Sequence, residues 1–326
     1  MSGDVLVFCE TRNGAFRSFC GELLTQFRPI AEQERVTLGA VVVGEVPGWE
    51  SQLSAWGADT VYRLEPIPPE VGPEALADQL TNLVQAMEAS FLLFGNTPLA
   101  RTVAPRVSEQ IAGAFVADCT GLAFGDKGPI FRRPVFGGKL VADVAAPRDA
   151  VTVATFRPNA LGVREVAAST PILHSIDAAP DGDIRSKVVE TVVHAAERVS
   201  LQEAETIVAG GRGLSAASGF SVIEDLAEAL GGAVGASRVA VDSGWISLEH
   251  QVGQTGKAVS PNLYIACGIS GAVQHFAGMG SARVIVAINK DPNCPMCEKA
   301  DYTIVGDLYE VAPALAEEIR RIRVEG

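Results

Sequence analysis

The sequence predicts an α/β protein of two domains: an N-terminal α/β domain with a mostly parallel sheet over residues 1–200, then a C-terminal Rossmann-like, doubly wound domain over 201–326. Three observations predict it. Short runs of β-branched and apolar residues, such as Val5–Phe8, Leu38–Val43 and Leu263–Cys267, alternate with longer stretches whose apolar positions recur at helical spacing. That alternation covers both faces of a parallel sheet with helices. The length of 326 residues exceeds the size at which one core usually stops growing. Finally, Gly268-Ile269-Ser270-Gly271 stands between a buried-strand pattern and a helical stretch, Ala272–Ala277, the strand, glycine turn and helix of a nucleotide cradle.

In chain order, Val5–Phe8 reads as the first strand, and Ala15–Phe27 carries Phe16, Phe19, Leu23, Leu24 and Phe27 on helical spacing. Leu38–Val43 and Thr60–Leu64 are the next strands, the latter introduced by Gly57-Ala58-Asp59. Pro66-Ile67-Pro68-Pro69 is a linker. Pro73, a favoured first helical residue, opens Glu74–Glu88, apolar at positions 76, 80, 83, 84 and 87. Phe91–Phe94 is a buried strand and Pro98–Ile111 a helix, and Gly95-Asn96-Thr97 between them is explained better by helix capping than by a ligand turn.

From Phe115 the pattern changes. Strand-like pieces lie near Ala114–Leu122, Phe131–Val135, Lys139–Val144, Val151–Phe156 and Val163–Ala168, and the glycines and prolines between them predict antiparallel strands and turns. Asp177–Asp183 starts a linker, and the domain boundary falls between there and Glu205. Arg185–Ser200 fits a strand or a helix equally well.

The second domain opens with strand Thr206–Ala209 and Gly210-Gly211-Arg212-Gly213, a turn in which Arg212 can meet phosphate with two donors. Phe220–Leu230 is an amphipathic helix stopped by Gly231-Gly232. Ser237-Arg238 ends the strand-like segment that begins at Ala233, and Gly253–Gly256 frames Gln254 and Thr255 in a glycine-flanked loop. Leu263–Cys267 and Arg283–Ile288 are buried strands. Gln254, Thr255, Gln274, His275 and Asn289 crowd polar side chains around strand ends, where open parallel sheets bind ligands. Asp307 is a helix N-cap for Leu308–Arg323, which ends in the basic cluster Arg320, Arg321 and Arg323.

Composition narrows the function. A net charge of −13 and a pI near 4.8 disfavour nucleic acid as a partner. No apolar run approaches the ~18 residues of a membrane span, and no signal or presequence pattern opens the chain, so a cytoplasmic protein without membrane insertion is expected. Ser-His-Asp order, H-E-x-x-H and a P-loop lysine are all missing, which leaves hydrolysis and phosphoryl transfer without support. Of the six cysteines, Cys9, Cys20, Cys119 and Cys267 sit in apolar surroundings as core residues. Cys294-Pro295-Met296-Cys297 suits a redox pair or half a zinc site, but the other half is missing. The simpler reading is a reduced loop after Asp291-Pro292, and no metal site is expected.

Several segments, taken together, carry a family resemblance: Gly210-Gly211-Arg212-Gly213, Gly235-Ala236-Ser237-Arg238, Gln251-Val252-Gly253-Gln254-Thr255-Gly256-Lys257, Gly268-Ile269-Ser270-Gly271-Ala272-Val273-Gln274-His275, Ile288-Asn289-Lys290-Asp291 and Gly306-Asp307-Leu308. In order and spacing they resemble the FAD domain of the electron transfer flavoprotein alpha subunit. The N-terminal part matches that family mainly in length and α/β pattern, and the family usually has no cysteines at 294 and 297. The resemblance implies an FAD held by Arg212, Ser237, Arg238, Val252, Gly253, Gln254, Thr255, Ser270, Gly271, Ala272, Val273, Gln274, His275, Asn289, Asp307 and Leu308. Within that set it implies flavin tuning by Arg238, Thr255 and His275, the last as a protonated or donor-oriented imidazole. A homologous beta subunit carrying AMP or a second FAD is implied too, with flavoprotein dehydrogenases as donors and a quinone oxidoreductase or similar protein as acceptor. Two alternatives stay open: an electron-bifurcating version driven by NADH, and a non-redox nucleotide sensor or scaffold.

Overall fold

Among the described residues, each strand of the seven-stranded and five-stranded sheets lies beside a parallel neighbour, and alternate residues of the central strands pack on opposite faces. The computed structural model describes residues 3–66, 72–125, 128–147, 149–176, 189–190 and 200–325. Contacts divide the chain into two compact units, Met1–Pro134 with Val141–His194, and Val135–Leu140 with Ala195–Gly326. The sequence-predicted linker at 177–183, the segment 185–199 apart from residues 189 and 190, and the proline linker after Pro66 lie outside the described residues.

In the first unit the elements are β1 (Val5–Phe8), β2 (Thr11–Arg12), β3 (Ala15–Phe16), α1 (Ser18–Glu34), β4 (Leu38–Val43), α2 (Trp49–Ala55), β5 (Thr60–Leu64), α3 (Pro73–Ala86), β6 (Phe91–Gly95), α4 (Pro98–Gln110), β7 (Ala114–Cys119), β8 (Gly121–Gly125), β9 (Gly128–Val135), β10 (Leu140–Ala145), β11 (Thr152–Phe156) and β12 (Ile172–Ile176). Seven of these strands form one parallel sheet in the order β12-β5-β4-β1-β6-β11-β7. Val5 and Val7 join the core on one face with Phe19, Leu23 and Phe27 of α1, while Leu6 and Phe8 join Leu80, Val84 and Val103 of α3 and α4 on the other. This is the period of two that a sheet covered on both sides requires.

Three expectations need correcting. The helix expected from Ala15 starts at Ser18, because Asn13 and Gly14, both at positive φ, turn the chain so that Ala15 and Phe16 pair with Arg12 and Thr11. Ala114–Leu122 is two strands rather than one. The chain breaks at Thr120, just after Asp118 takes a left-handed φ of 58°; β7 then lies parallel to β11 in the large sheet, and β8 pairs antiparallel with β9 in a separate three-stranded sheet. The antiparallel pattern thus holds for the β8–β9 pair but not for β7 or β11. Val163–Ala168 is not a strand. The edge position beside β5 is taken by Ile172–Ile176, a segment of mostly exposed side chains whose pattern carries no burial signal. The capping reading at Thr97 is correct: its side chain accepts from the Ala100 N–H at 3.0 Å.

The second unit contains β13 (Thr206–Gly210), α5 (Phe220–Leu230), β14 (Ala233–Ala236), α6 (Arg238–Asp242), β15 (Leu263–Cys267), α7 (Val273–Met279), β16 (Val284–Asn289), α8 (Pro295–Lys299), β17 (Tyr302–Val305) and α9 (Leu308–Glu325). Its five parallel strands run in the order β14-β13-β15-β16-β17. The order reverses between β13 and β15, which is the topological switch point of a doubly wound sheet. Arg238 opens a short helix rather than ending a strand, and Cys294 caps helix α8 rather than lying in a loop.

The first unit also holds a buried charge with a structural role. Glu22 of α1 is 4% exposed, and its carboxylate accepts the backbone N–H groups of Asn159 (2.8 Å), Leu161 and Gly162 (both 3.1 Å). It fixes the chain after β11 against α1. Replacing Glu22 by Ala removes the acceptor of these half-buried and exposed donors, and we expect a loss of about 2 kcal/mol in urea unfolding. A midpoint equal to that of the wild type would show that water or another group replaces the carboxylate at no cost.

Candidate functional site

The register of the second sheet brings the carboxyl ends of its strands level. Gly210 stands beside Ala236 on one side and Cys267 on the other, and Cys267 stands beside Ile288. The turns leaving those ends are therefore neighbours. The Gly211 N–H donates to Cys267 O and the Gly213 N–H to Gly268 O, both at 3.0 Å. A Cβ on Gly213 would lie 2.7 Å from Gly268 Cα, so only two bare backbones fit there. Gly271, at φ 82°, faces the backbone of α8, where a Cβ would fall 2.5 Å from Met296 N. The loop 251–257 closes the third side. Val252 N–H donates to Ala236 O at 2.9 Å and Gln254 N–H to Gln274 O at 2.7 Å.

Between these turns lies a cavity of about 560 Å³, within the ~300–1,000 Å³ of small-molecule and cofactor clefts. Of the residues expected at the site, Arg212, Ser237, Arg238, Val252, Gly253, Gln254, Thr255, Ser270, Gly271, Ala272, Gln274, His275 and Asn289 line it. Val273, Asp307 and Leu308 do not. Val273 is half exposed on the first turn of α7. Leu308 is buried in the core beneath α5 and α9. Asp307 accepts the Tyr309 N–H on one oxygen (3.0 Å) and pairs with Lys290 through the other (2.8 Å). Lys290 holds this carboxyl below the usual carboxylate range, helped by the capping N–H.

The lining also includes Gly213, Val239, Gln251, Gly268, Ile269, Asp291 and Cys294, which sequence reasoning did not assign to the site. Gln251 is the most telling. It is 3% exposed, and its Nε2 donates to Thr255 Oγ1 at 3.0 Å, which leaves the threonine's own hydrogen to donate elsewhere. Its place in the glycine-flanked loop, four residues before Thr255, was the available signal. Asn289 works on its own backbone: Nδ2 donates to Ile269 O and Oδ1 accepts the Asp291 N–H, each at 3.1 Å. Arg238 is exposed and pairs with Asp242 one helical turn on, at 3.2 Å.

Two polar atoms in this wall are buried without a partner among the described residues, Ser237 Oγ and His275 Nδ1. Tyr264 Oη and His275 Nε2 are 2.9 Å apart in full burial. Burial, and secondarily Cys267, pushes the phenol well above its ordinary pKa, so its proton stays and needs an acceptor. We assign Nε2 as that acceptor, which places the ring hydrogen on Nδ1. Burial also lowers the His275 pKa to about 4, opposed in part by a weak interaction with the Val252 backbone that falls short of hydrogen-bond geometry and leaves Nδ1 unsatisfied. The ring is therefore neutral. Of the protonated and donor-oriented imidazoles expected from sequence, this environment permits only the second.

Paired glycine turns at a switch point, with a cavity between them, make this a doubly wound α/β protein with a ligand-sized cleft at its strand ends. Comparison with known proteins gives the family. Residues 5–192 match the electron transfer flavoprotein domain, and residues 200–280 match the electron transfer flavoprotein FAD-binding domain. The chain is 41% identical to the electron transfer flavoprotein subunit alpha of Thermoanaerobacterium thermosaccharolyticum, covering 98% of each chain. It is 36% identical to the subunit alpha of Bacillus subtilis, covering 99% of each. It is also 34% identical to the acryloyl-CoA reductase electron transfer subunit beta of Anaerotignum propionicum, over 97% of this chain and 95% of the other. The chain belongs to the electron transfer flavoprotein alpha-subunit family. It is a flavin-binding electron carrier. Among the described residues no helix is long and apolar enough to cross a membrane.

The buried histidine has a measurable consequence. In the flavin-free chain the folded ring accepts a proton less readily than the unfolded one, whose pKa is near 6.5. The unfolded state therefore binds more protons between pH 6.5 and 4, and stability that is whole above that window falls by about 3 kcal/mol across it. His275→Gln, which can still accept from Tyr264, should lose this part of the pH dependence. Parallel urea titrations at pH 7, 5.5 and 4 read the difference, and identical slopes for the two proteins would show that the ring titrates normally.

Proposed function

We propose that this chain is the FAD-carrying alpha subunit of a heterodimeric electron transfer flavoprotein. One FAD occupies the cavity at the end of the C-terminal sheet and supplies reversible one- and two-electron redox chemistry. A homologous beta subunit carrying AMP or a second FAD completes the heterodimer. Flavoprotein dehydrogenases deliver electrons, and a quinone oxidoreductase or similar acceptor removes them.

The single observation that carries this reading is the pair of buried, unpartnered polar atoms, Ser237 Oγ and His275 Nδ1, in the wall of a cavity built by glycine turns. Groups of this kind cost free energy unless a ligand meets them. Ser237 and Thr255 each offer a hydroxyl, and His275 offers a neutral ring N–H, a donor set suited to the carbonyl and hydroxyl edges of a flavin dinucleotide. Arg212, exposed at the rim, fits the pyrophosphate as a forked donor. Arg238 adds a fixed positive charge that favours the form carrying more negative charge and so raises the potential. Asp242, its ion-pair partner, offsets part of that field. Val273, Asp307 and Leu308 stand outside the lining.

Visible absorption tests the reading most directly. The protein purified with its beta subunit should be yellow, or become so on incubation with FAD, and a colourless pair after that incubation would overturn it. Arg238→Lys should retain most of the flavin but lower its midpoint potential, because a point charge replaces a planar fork. A redox titration against a reference dye that gives the wild-type potential would remove Arg238 from the tuning set.

A further inference from the structure

The motif left outside this account is Cys294-Pro295-Met296-Cys297. We propose that Cys294 and Cys297 form a reversible dithiol/disulfide couple that exchanges with external disulfides through the cofactor cavity. The route rests on the functional reading above, because that reading names what fills the cavity; the couple itself does not.

The geometry is that of a pair ready to close. Cys294 caps the N-terminus of α8 and Cys297 sits three residues on, with Sγ atoms 3.3 Å apart. A disulfide needs about 2.05 Å, so the two sulfurs must close by little more than an ångström. No third thiol, histidine or carboxylate joins them in a cluster that could hold a metal, among the described residues. The two cysteines are not equivalent. Cys294 lines the cavity and Cys297 does not. Both are buried, Cys294 at 5% and Cys297 at 9% exposure, and burial, reinforced by the neighbouring Cys294, pushes the Cys297 thiol up to about 11. An oxidant that enters by the cavity meets Cys294 first, because of the two only Cys294 lines it, and Cys297 resolves the mixed disulfide.

The chemistry balances with a small disulfide as oxidant. The Cys294 thiolate attacks one sulfur of oxidised glutathione, whose S–S bond breaks and releases one glutathione thiol. Cys297 then gives up its proton to solvent and attacks the Cys294 sulfur of the mixed disulfide, expelling the second glutathione. Two protein thiols lose two electrons and two protons, and one external disulfide becomes two thiols. The remaining cysteines, Cys9, Cys20, Cys119 and Cys267, are at most 1% exposed and do not compete.

The couple also touches the cradle. Met296, between the two cysteines, donates its N–H to Ser270 O at 3.1 Å, and its backbone is the surface against which Gly271 packs. A contraction of this helical turn is felt where the cofactor lies, and a cofactor lying there covers Cys294.

The test is native exchange with oxidised glutathione, followed by alkylation and peptide mass mapping. Without added FAD the chain should form the Cys294–Cys297 disulfide and recover both thiols on treatment with dithiothreitol. Recovery of both cysteines in alkylated form before any reductant is added would overturn the couple. In Cys297→Ser a glutathione adduct should be trapped on Cys294, whereas Cys294→Ser should stay unmodified. An adduct on Cys297 in Cys294→Ser would overturn the assigned order. With FAD bound, as judged by absorbance, disulfide formation should be about tenfold slower because access is lost. Equal rates with flavin demonstrably bound would overturn the route and leave the functional reading intact. A chain that took up no flavin would overturn the functional reading and the route together, while the flavin-free arm would still decide the couple.

Discussion

The site depends on one close approach, that of the Gly210–Gly213 turn to the Gly268–Gly271 turn. Two parallel strands in register deliver these turns to the same level, and the absence of side chains lets their backbones exchange hydrogen bonds directly. If either turn carried a Cβ at the contact, the strand ends would have to splay, and the walls formed by Ser237, Gln251 and His275 would separate with them. The polar chemistry is therefore secondary to a steric condition on the backbone. The binding groups are few, but the frame that aims them is the whole doubly wound sheet.

Inside that frame the electrostatics are divided by depth. At the rim, Arg212 and Arg238 are exposed, and Arg238 shares its charge with Asp242. In the wall, His275 is held neutral by burial and oriented by Tyr264, which itself belongs to the core. Mobile solvent screens the outer charges, whereas nothing screens the inner dipole. If the cavity holds flavin as proposed, exposed guanidinium and buried imidazole would offer two different means of favouring its electron-rich forms.

Much of this was legible in the sequence, for reasons that differ by element. Leu263–Cys267 and Phe220–Leu230 were found at their observed limits because a continuous apolar run and a helical stripe ending in paired glycines are both strong local signals. Strands β7 and β11 were placed in the wrong kind of pairing because pairing is a property of partners far apart in the chain, and glycine and proline spacing reports only local turns. Strand β12 was missed because an edge strand of mostly exposed side chains has no core face to reveal it. At the site, the glycines and polar residues that line the cavity were readable as motifs. The neutral state of His275 was not, since it follows from burial that only the fold creates, and its tautomer follows from a tyrosine eleven positions earlier.

Ser237 and His275 carry one more implication. Interior groups left without partners make the empty chain the weaker form, and any molecule that satisfies them adds its binding free energy to folding. If the cavity is filled as proposed, the survival of this polypeptide in a cell follows the supply of its vitamin-derived ligand. Newly made chains that find none spend more time open to proteases, and turnover matches the amount of carrier to the amount of flavin.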